Sequence, residues 1–179
     1  RLPSVAPAPI GRVLDAGADA VIIAMIESAE QAAAAVAATR YPPAGVRSYG
    51  PLRASLGPDP AAHEARVDVF AMIETERGVR ALDEICSVPG VSGVYVGPAD
   101  LAISLGHTPA QAWTEPAVLD TMATIAAGTT AAGRIAGIHA GTGERGKRAA
   151  QLGFRMITLA SESQALRRGA TEHLREAEQ

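Results

Sequence analysis

Five short apolar runs alternate with helix-forming stretches, and this rhythm restricts the possible folds more than any other feature of the chain. The runs are 17–26 (GADAVIIAMI), 67–74 (VDVFAMIE), 90–98 (GVSGVYVGP), 134–140 (RIAGIHA) and 154–161 (FRMITLAS). Between them, 27–40 is rich in alanine and other strong helix formers, and 41–60 is a long connection punctuated by Pro and Gly. Residues 75–88 read as a helix with Thr75 at its N-cap, and 99–106 as a short helix or loop. Further helices are expected over 116–133, which ends in Gly133, over 144–153 and over 163–179. No hairpin signal joins two runs. Strands separated by helices must pair in parallel, and nearly continuous apolar runs fit strands covered on both faces.

An open doubly wound sheet and a (β/α)8 barrel both satisfy that pattern. No GxGxxG follows any of the strands, which weighs against a dinucleotide fold. Five units fall short of eight. The chain opens at Arg1 and runs straight into RLPSVAPAP, as if joined midway through a fold, so further residues are expected upstream.

The 179 residues are 47% hydrophobic, enough for one core. A net charge of -3, no basic cluster and 3% aromatic residues argue against nucleic acid as a partner. No apolar run approaches the roughly 20 residues of a membrane span, and no signal-peptide pattern opens the chain. The single cysteine, Cys86, allows no internal disulfide and suits a reducing, cytoplasmic setting. It falls on the helix after Glu74 and is expected in the core.

Functional groups of parallel α/β folds gather at the carboxyl ends of the strands. Glu74 ends the second run and Asp100 lies just beyond the third, after a Gly-Pro turn. Alternation along 69–74 places Phe70, Met72 and Glu74 on one face and Val69, Ala71 and Ile73 on the other. If the first face points into a barrel, Glu74 tops an apolar column, where a carboxylate is costly unless paired or bound to a metal. Two carboxylates on adjacent strands suit a hard divalent cation. The same residues also fit a Glu74–arginine pair and an Asp100 that caps a helix starting at Leu101. Glu76 falls in the first turn of the next helix, where the helix dipole favours negative charge without any chemistry.

Three segments, ATRYPPAGVRSYGP, AMIETERG and GVYVGPADLAISLG, together resemble the HpcH/HpaI aldolase family, in the family's order and at roughly its spacing. The resemblance covers nearly all of the chain. It implies a TIM (β/α)8 barrel of the phosphoenolpyruvate/pyruvate type, with residues 1–179 forming a single partial barrel domain of strands four to eight. It also implies a metal-dependent (class II) aldolase that cleaves or forms 4-hydroxy-2-oxo acids, giving pyruvate and an aldehyde. Mg2+, Mn2+ or Co2+ would be the metal and a homo-oligomer, hexamer or trimer, the assembly. By motif, Glu74 and Asp100 match the metal ligands. Arg1 matches an arginine at the end of the third barrel strand that binds the keto oxygen and supports the enolate. Asp15, in VLDAGAD, matches an aspartate that reaches a neighbouring subunit's site and partners a catalytic histidine. The backbone of Gly97, Pro98, Ala99 and Asp100 matches the segment lining the pyruvate carboxylate pocket.

Two departures accompany the match. The family's catalytic histidine lies upstream of this chain's first residue, and Met72 stands where relatives often carry a glutamine that holds pyruvate. MIETERG and GPADLAISLG also echo a citrate-lyase-β-like CoA-ester lyase, and a non-catalytic relative binding metal or oxo acid is a third reading. RYPPAGVRSYGP favours the aldolase branch. The only lysine, Lys147, falls on a helix away from the strand ends, so no Schiff base is expected. His139 ends a strand, as a base or as a locally bonded residue. His63, His107 and His173 are expected in solvent. Arg47 and Arg53 are expected at the active-site rim or at a subunit contact.

Overall fold

The computed structural model describes residues 1–178. Five strands, β1 (Ala20–Ile23), β2 (Asp68–Ile73), β3 (Gly93–Val96), β4 (Ile135–His139) and β5 (Met156–Thr158), form one parallel sheet in chain order. Leu2 adds one parallel bridge to Ile23, the stub of a sixth strand beside β1. Each crossover steps to the next neighbour without reversing. A doubly wound sheet requires a reversal, so the order selects the barrel alternative and makes this a curled partial TIM-type barrel.

The helices follow the strands: α1 (Pro7–Asp15), α2 (Ala29–Ala37), α3 (Pro60–Ala65), α4 (Glu76–Arg80), α5 (Leu82–Ser87), α6 (Pro98–Ser104), α7 (Pro116–Ala131), α8 (Gly143–Gln151) and α9 (Glu162–Ala177). The main core lies between their apolar faces and one face of the sheet. It joins Val21, Ile23, Val69, Ala71, Ile73, Val94, Val96 and Ile138 to Ile10, Leu14, Ile85, Met122 and Ile125. The opposite face carries a smaller cluster of Ala24, Phe70, Met72 and Tyr95, with Ile22 and Met156 packed on it. Period-2 alternation thus sorts each strand into a helix-facing row and a barrel-facing row, with Phe70, Met72 and Glu74 in the second.

The strands are shorter than the apolar runs, because chain ends leave the sheet to build loops. The first run stops pairing at Ile23, and Met25 turns to a left-handed φ of 58°. The helix expected over 75–88 breaks into α4 and α5 at Ala81, whose φ of -91° and ψ of 8° leave the helical region. Thr75 does cap α4, its hydroxyl accepting from the Gly78 N–H at 3.1 Å. The connection 41–60 folds into a 3-10 turn at Ala54–Leu56 and leads into α3, which Asp59 caps. Cys86 is buried in the core. Among the described residues, no helix is long and apolar enough to cross a membrane.

His63 corrects the expectation of solvent exposure. It is 3% exposed, under the amino-terminal side of the sheet. Its Nε2 lies 2.9 Å from the Gly57 carbonyl, which can only accept, so Nε2 carries the proton and Nδ1 accepts from the Tyr41 hydroxyl at 3.0 Å. Tyr49 stacks on the ring at 5.9 Å. The folded connection supplies the carbonyls and rings that cover a polar side chain, which pattern reading of a Pro/Gly-rich segment does not reveal. His107 is half-buried, and His173 is exposed.

Candidate functional site

Glu74 follows β2 directly and is 1% exposed. One oxygen accepts the Met25 N–H at 2.9 Å, and the other, Oε2, is buried with no partner among the described residues. An unpaired buried carboxylate oxygen is costly. Burial drives the Glu74 carboxyl above its ordinary range. The neighbouring Asp100 carboxylate pushes the same way, and the Met25 N–H and the charge of Arg1 pull against them. The geometry therefore brings three of the expected residues, Arg1, Glu74 and Asp100, to one place at the carboxyl ends of the strands.

Gly97 makes room for this arrangement. A Cβ on it would meet Glu74 Oε2 at 2.5 Å and Met72 Cε at 2.6 Å. The carboxylate thus leans into space left by a missing side chain. Pro98, Ala99 and Asp100 form the first turn of α6, with Pro98 buried and Ala99 and Asp100 exposed. Gly97 is the N-cap and Asp100 the third helical residue, so Asp100 does not cap the helix. Its carboxylate is free to face the site. Donors of this kind, a buried carboxylate with a vacant oxygen beside an exposed one, fit a hard divalent cation. Among the described residues there is no cluster of three or more metal-ligating side chains, so a cation here would complete its shell with substrate and water.

Met25 belongs to the site and carried no sequence signal. A non-glycine residue at φ 58° costs roughly 1 kcal/mol or more, and the turn aims its N–H at Glu74. Beside it, Thr75 donates to Glu27 Oε1 at 2.8 Å, tying together the loops after β1 and β2. Glu76 is exposed in the first turn of α4, away from this carboxylate pair.

Asp15 lies elsewhere. Helix α1 starts just after Leu2, level with the end of β1, and returns to Ala20 at its start. Its last residue, Asp15, therefore sits at the amino-terminal end of the sheet, opposite Glu74. There it pairs with Arg47 at 2.8 Å, and the Arg47 guanidinium, 1% exposed, lies 4.7 Å from the Tyr41 ring centre. Arg47 Nε and Nη1 have no hydrogen-bond partner among the described residues. This arginine is a buried structural cation of its own protomer rather than a residue on the rim of the Glu74 site.

His139 stands at the carboxyl end of β4, facing the barrel side. Its Nδ1 lies 3.0 Å from Thr158 Oγ1, and Thr158 Oγ1 is also hydrogen-bonded to the Tyr95 hydroxyl. These three residues come from three neighbouring strands. Their convergence follows from strand register, which no local motif encodes.

Known proteins resemble this chain in sequence and in fold. The sequence profile of the HpcH/HpaI aldolase/citrate lyase family matches residues 1–168. The hydroxypyruvate/pyruvate aldolase of Rhizorhabdus wittichii is 36% identical over 174 residues, covering 96% of this chain and 69% of its own length. The 4-hydroxy-2-oxo-heptane-1,7-dioate aldolase of Klebsiella pneumoniae is 35% identical over 173 residues, covering 92% of this chain and 63% of its own. The chain thus spans roughly two thirds of the length of these curated relatives. A crystal structure of a HpcH/HpaI aldolase/citrate lyase family protein from Burkholderia cenocepacia superposes with a TM-score of 0.85 at 33% identity, covering all of this chain and 72% of that one. Sequence and fold agree over almost the whole length, and the chain belongs to the HpcH/HpaI aldolase/citrate lyase family.

Proposed function

We propose that the protein is a divalent-metal-dependent aldehyde-lyase that cleaves or forms 4-hydroxy-2-oxo acids, with pyruvate or a close analogue as the ketone product and an aldehyde as its partner. The observation that carries this reading is the vacant, buried Oε2 of Glu74 beside Asp100, in space that only a glycine at position 97 leaves open. Glu74 and Asp100 would hold the cation. When bound, Mg2+, Mn2+ or Co2+ supplies Lewis acidity at the keto oxygen of an oxo acid.

The chain's own residues do the rest. The Met25 N–H holds one oxygen of Glu74, which leaves the other directed into the site. Arg1 directly precedes Leu2 and so falls on the barrel side, with its charge near Glu74. There it offers fixed positive charge where an enolate oxygen develops. The segment Gly97 to Asp100 lines the place of the substrate carboxylate. Met72, apolar and buried below Glu74, takes the position of an amide in relatives, so the pocket floor here is apolar. Asp15 lies at the far end of its own sheet and enters the reaction only in a neighbouring subunit of a homo-oligomer, hexamer or trimer.

A retro-aldol assay tests the reading: a 4-hydroxy-2-oxo acid is the substrate, and released pyruvate is coupled to a dehydrogenase, with and without chelator. Activity that chelator abolishes and Mn2+ restores, and that Glu74→Ala removes together with Mn2+ binding, is the expected result. Cleavage that persists in chelator refutes the metal mechanism, and cleavage only of a CoA thioester refutes the aldolase.

A further inference from the structure

A cleft of about 370 Å³ opens beyond the carboxyl ends of β3, β4 and β5. Pro98 and Ala99, in the turn assigned to the substrate carboxylate, line it on one side. His139, Arg145 of α8 and Gln164 of α9 line it elsewhere. Among the described residues no carboxylate lines the cleft, and Arg145 is its one permanently charged side chain. Nor does any described carboxylate pair with Arg145. Its guanidinium lies 6.0 Å over the ring of Trp113, which is 6% exposed and held through its carbonyl by Arg148 at 2.7 Å. A cation is thus kept in place without a counter-charge.

Three donors from three segments meet in this cleft. Gly141, at a φ of 77°, sits between the first two. Apart from its chain neighbours, a Cβ there would have only His139 Nε2, at 3.8 Å, and Arg145 Nη1, at 4.0 Å, within 4 Å. The two nitrogens therefore flank the same open side of Gly141. His139 Nδ1 is engaged with Thr158 Oγ1, so Nε2 is the nitrogen left for a ligand. Whichever way that bond runs, a bound anion favours a proton on Nε2. The third donor is the Gln164 amide. Its oxygen accepts the Ser161 N–H at 2.9 Å in the cap of α9, which leaves its NH2 free.

We propose that this cleft is a subsite for a phosphate at the far end of the aldehyde partner, with Arg145 as its specificity-determining residue. The proposal rests on the oxo-acid reading above. A phosphate ester offers three terminal oxygens and close to two negative charges, which three donors and an unpaired guanidinium match better than they match a carboxylate. With β1 as the fourth barrel strand, β4 and β5 are the seventh and eighth, and the loops after these two often hold phosphate groups in TIM barrels. Glu74 ends β2 and His139 ends β4, so their backbones lie roughly 10 Å apart, a separation that a short phosphorylated aldehyde spans. The reaction stays an aldol addition. Pyruvate C3 loses a proton and bonds to the aldehyde carbon, and the new alkoxide takes up a proton, so no redox partner is required.

The test has a binding arm and a kinetic arm on the intact protein. Calorimetric titration in chelator compares glycerol 3-phosphate with glycerol. Aldol addition to pyruvate with Mg2+ compares D-glyceraldehyde 3-phosphate, D-glyceraldehyde and succinic semialdehyde by kcat/KM. The expected result is binding of glycerol 3-phosphate alone and the highest kcat/KM for the phosphorylated aldehyde. Arg145→Gln should lower both the affinity for glycerol 3-phosphate and the phosphorylated-to-neutral ratio by roughly tenfold or more, as loss of one charged hydrogen bond does. Arg145→Lys should recover part of each. No binding of glycerol 3-phosphate to the parent protein, or equal binding by folded Arg145→Gln, overturns the subsite. Succinic semialdehyde used as well as the phosphorylated aldehyde overturns the choice of phosphate. The parent protein decides both of these points should the variants not fold. Inactivity with all three aldehydes overturns the oxo-acid reading, and the chelator titration still decides the subsite.

Discussion

Replacing Gly97 with alanine tests how the Glu74 pocket is built. The added methyl would sit 2.5 Å from Glu74 Oε2 and 2.6 Å from Met72 Cε, both closer than van der Waals contact permits. Neither neighbour moves freely. Glu74 is tethered through its other oxygen to the Met25 N–H, and Met72 is packed against Phe70 and Tyr95. Overpacking of this kind costs about 1–3 kcal/mol. For a domain of this size that corresponds to a fall of roughly 2–12 °C in Tm. The second consequence is specific to the site. An oxygen displaced by the methyl is no longer placed beside Asp100, so the stabilisation that a bound cation provides should shrink. On the metal-dependent reading proposed above, that stabilisation would be about 2.7 kcal/mol in the parent protein at a hundredfold excess over Kd. Thermal melts with chelator and with Mn2+, on parent and Gly97→Ala, read both quantities. A variant that melts with the parent in chelator and gains as much from Mn2+ would refute the reasoning, because the glycine would then be leaving no space that the carboxylate needs.

Three other changes probe separate parts of the structure. Glu74 has a carboxyl raised above its ordinary pKa, chiefly by burial, so the folded state holds that proton more tightly than the unfolded chain. Its contribution to stability is therefore most favourable below the unfolded value of about 4.3 and declines as pH rises toward the folded value. Glu74→Gln should accordingly be more stable than the parent at pH 7 in chelator, with the gain vanishing below pH of about 4 in denaturant titrations. Asp15→Ala removes the one charged partner, among the described residues, of the Arg47 side chain, which is 1% exposed, and should cost about 3–5 kcal/mol by urea denaturation. Thr75→Ala removes the cap of α4 and the bond to Glu27, and should cost about 1–2 kcal/mol, whereas Glu76→Ala on the exposed first turn should stay within about 0.5 kcal/mol of the parent.

Much of the fold is legible because its causes are local. Side chains alternate every two residues in a strand, so VDVFAMIE already places Phe70, Met72 and Glu74 on one face, and the structure puts that face inside the sheet's curl. A hydroxyl just before a helix can reach the third N–H, and Thr75 does so. The Gly-Pro turn after the third strand brings Asp100 next to Glu74 because parallel neighbours must end side by side. Element ends are less legible. Ala81 has nothing in its sequence context to break a helix, and Met25 adopts a backbone region usually left to glycine, because tertiary contacts repay the strain.

What the sequence by itself determined is the parallel α/β class and the placing of Glu74 and Asp100 at the ends of neighbouring strands, since both follow from periods of two and three to four residues; that pattern alone left the open sheet and the barrel as alternatives. What only the tertiary structure decided is where distant polar groups meet. Asp15 lies opposite the Glu74 site because helix α1 runs back along the strands before it ends. His63 is covered because a loop closes over it with two tyrosines. Tyr95, His139 and Thr158 join because three neighbouring strands run side by side, with His139 level with Thr158 and Tyr95 two residues below them on the same face, and register is set by the packing of the whole sheet against its helices. Hydrogen bonds between residues 19 and 63 positions apart have no local signature.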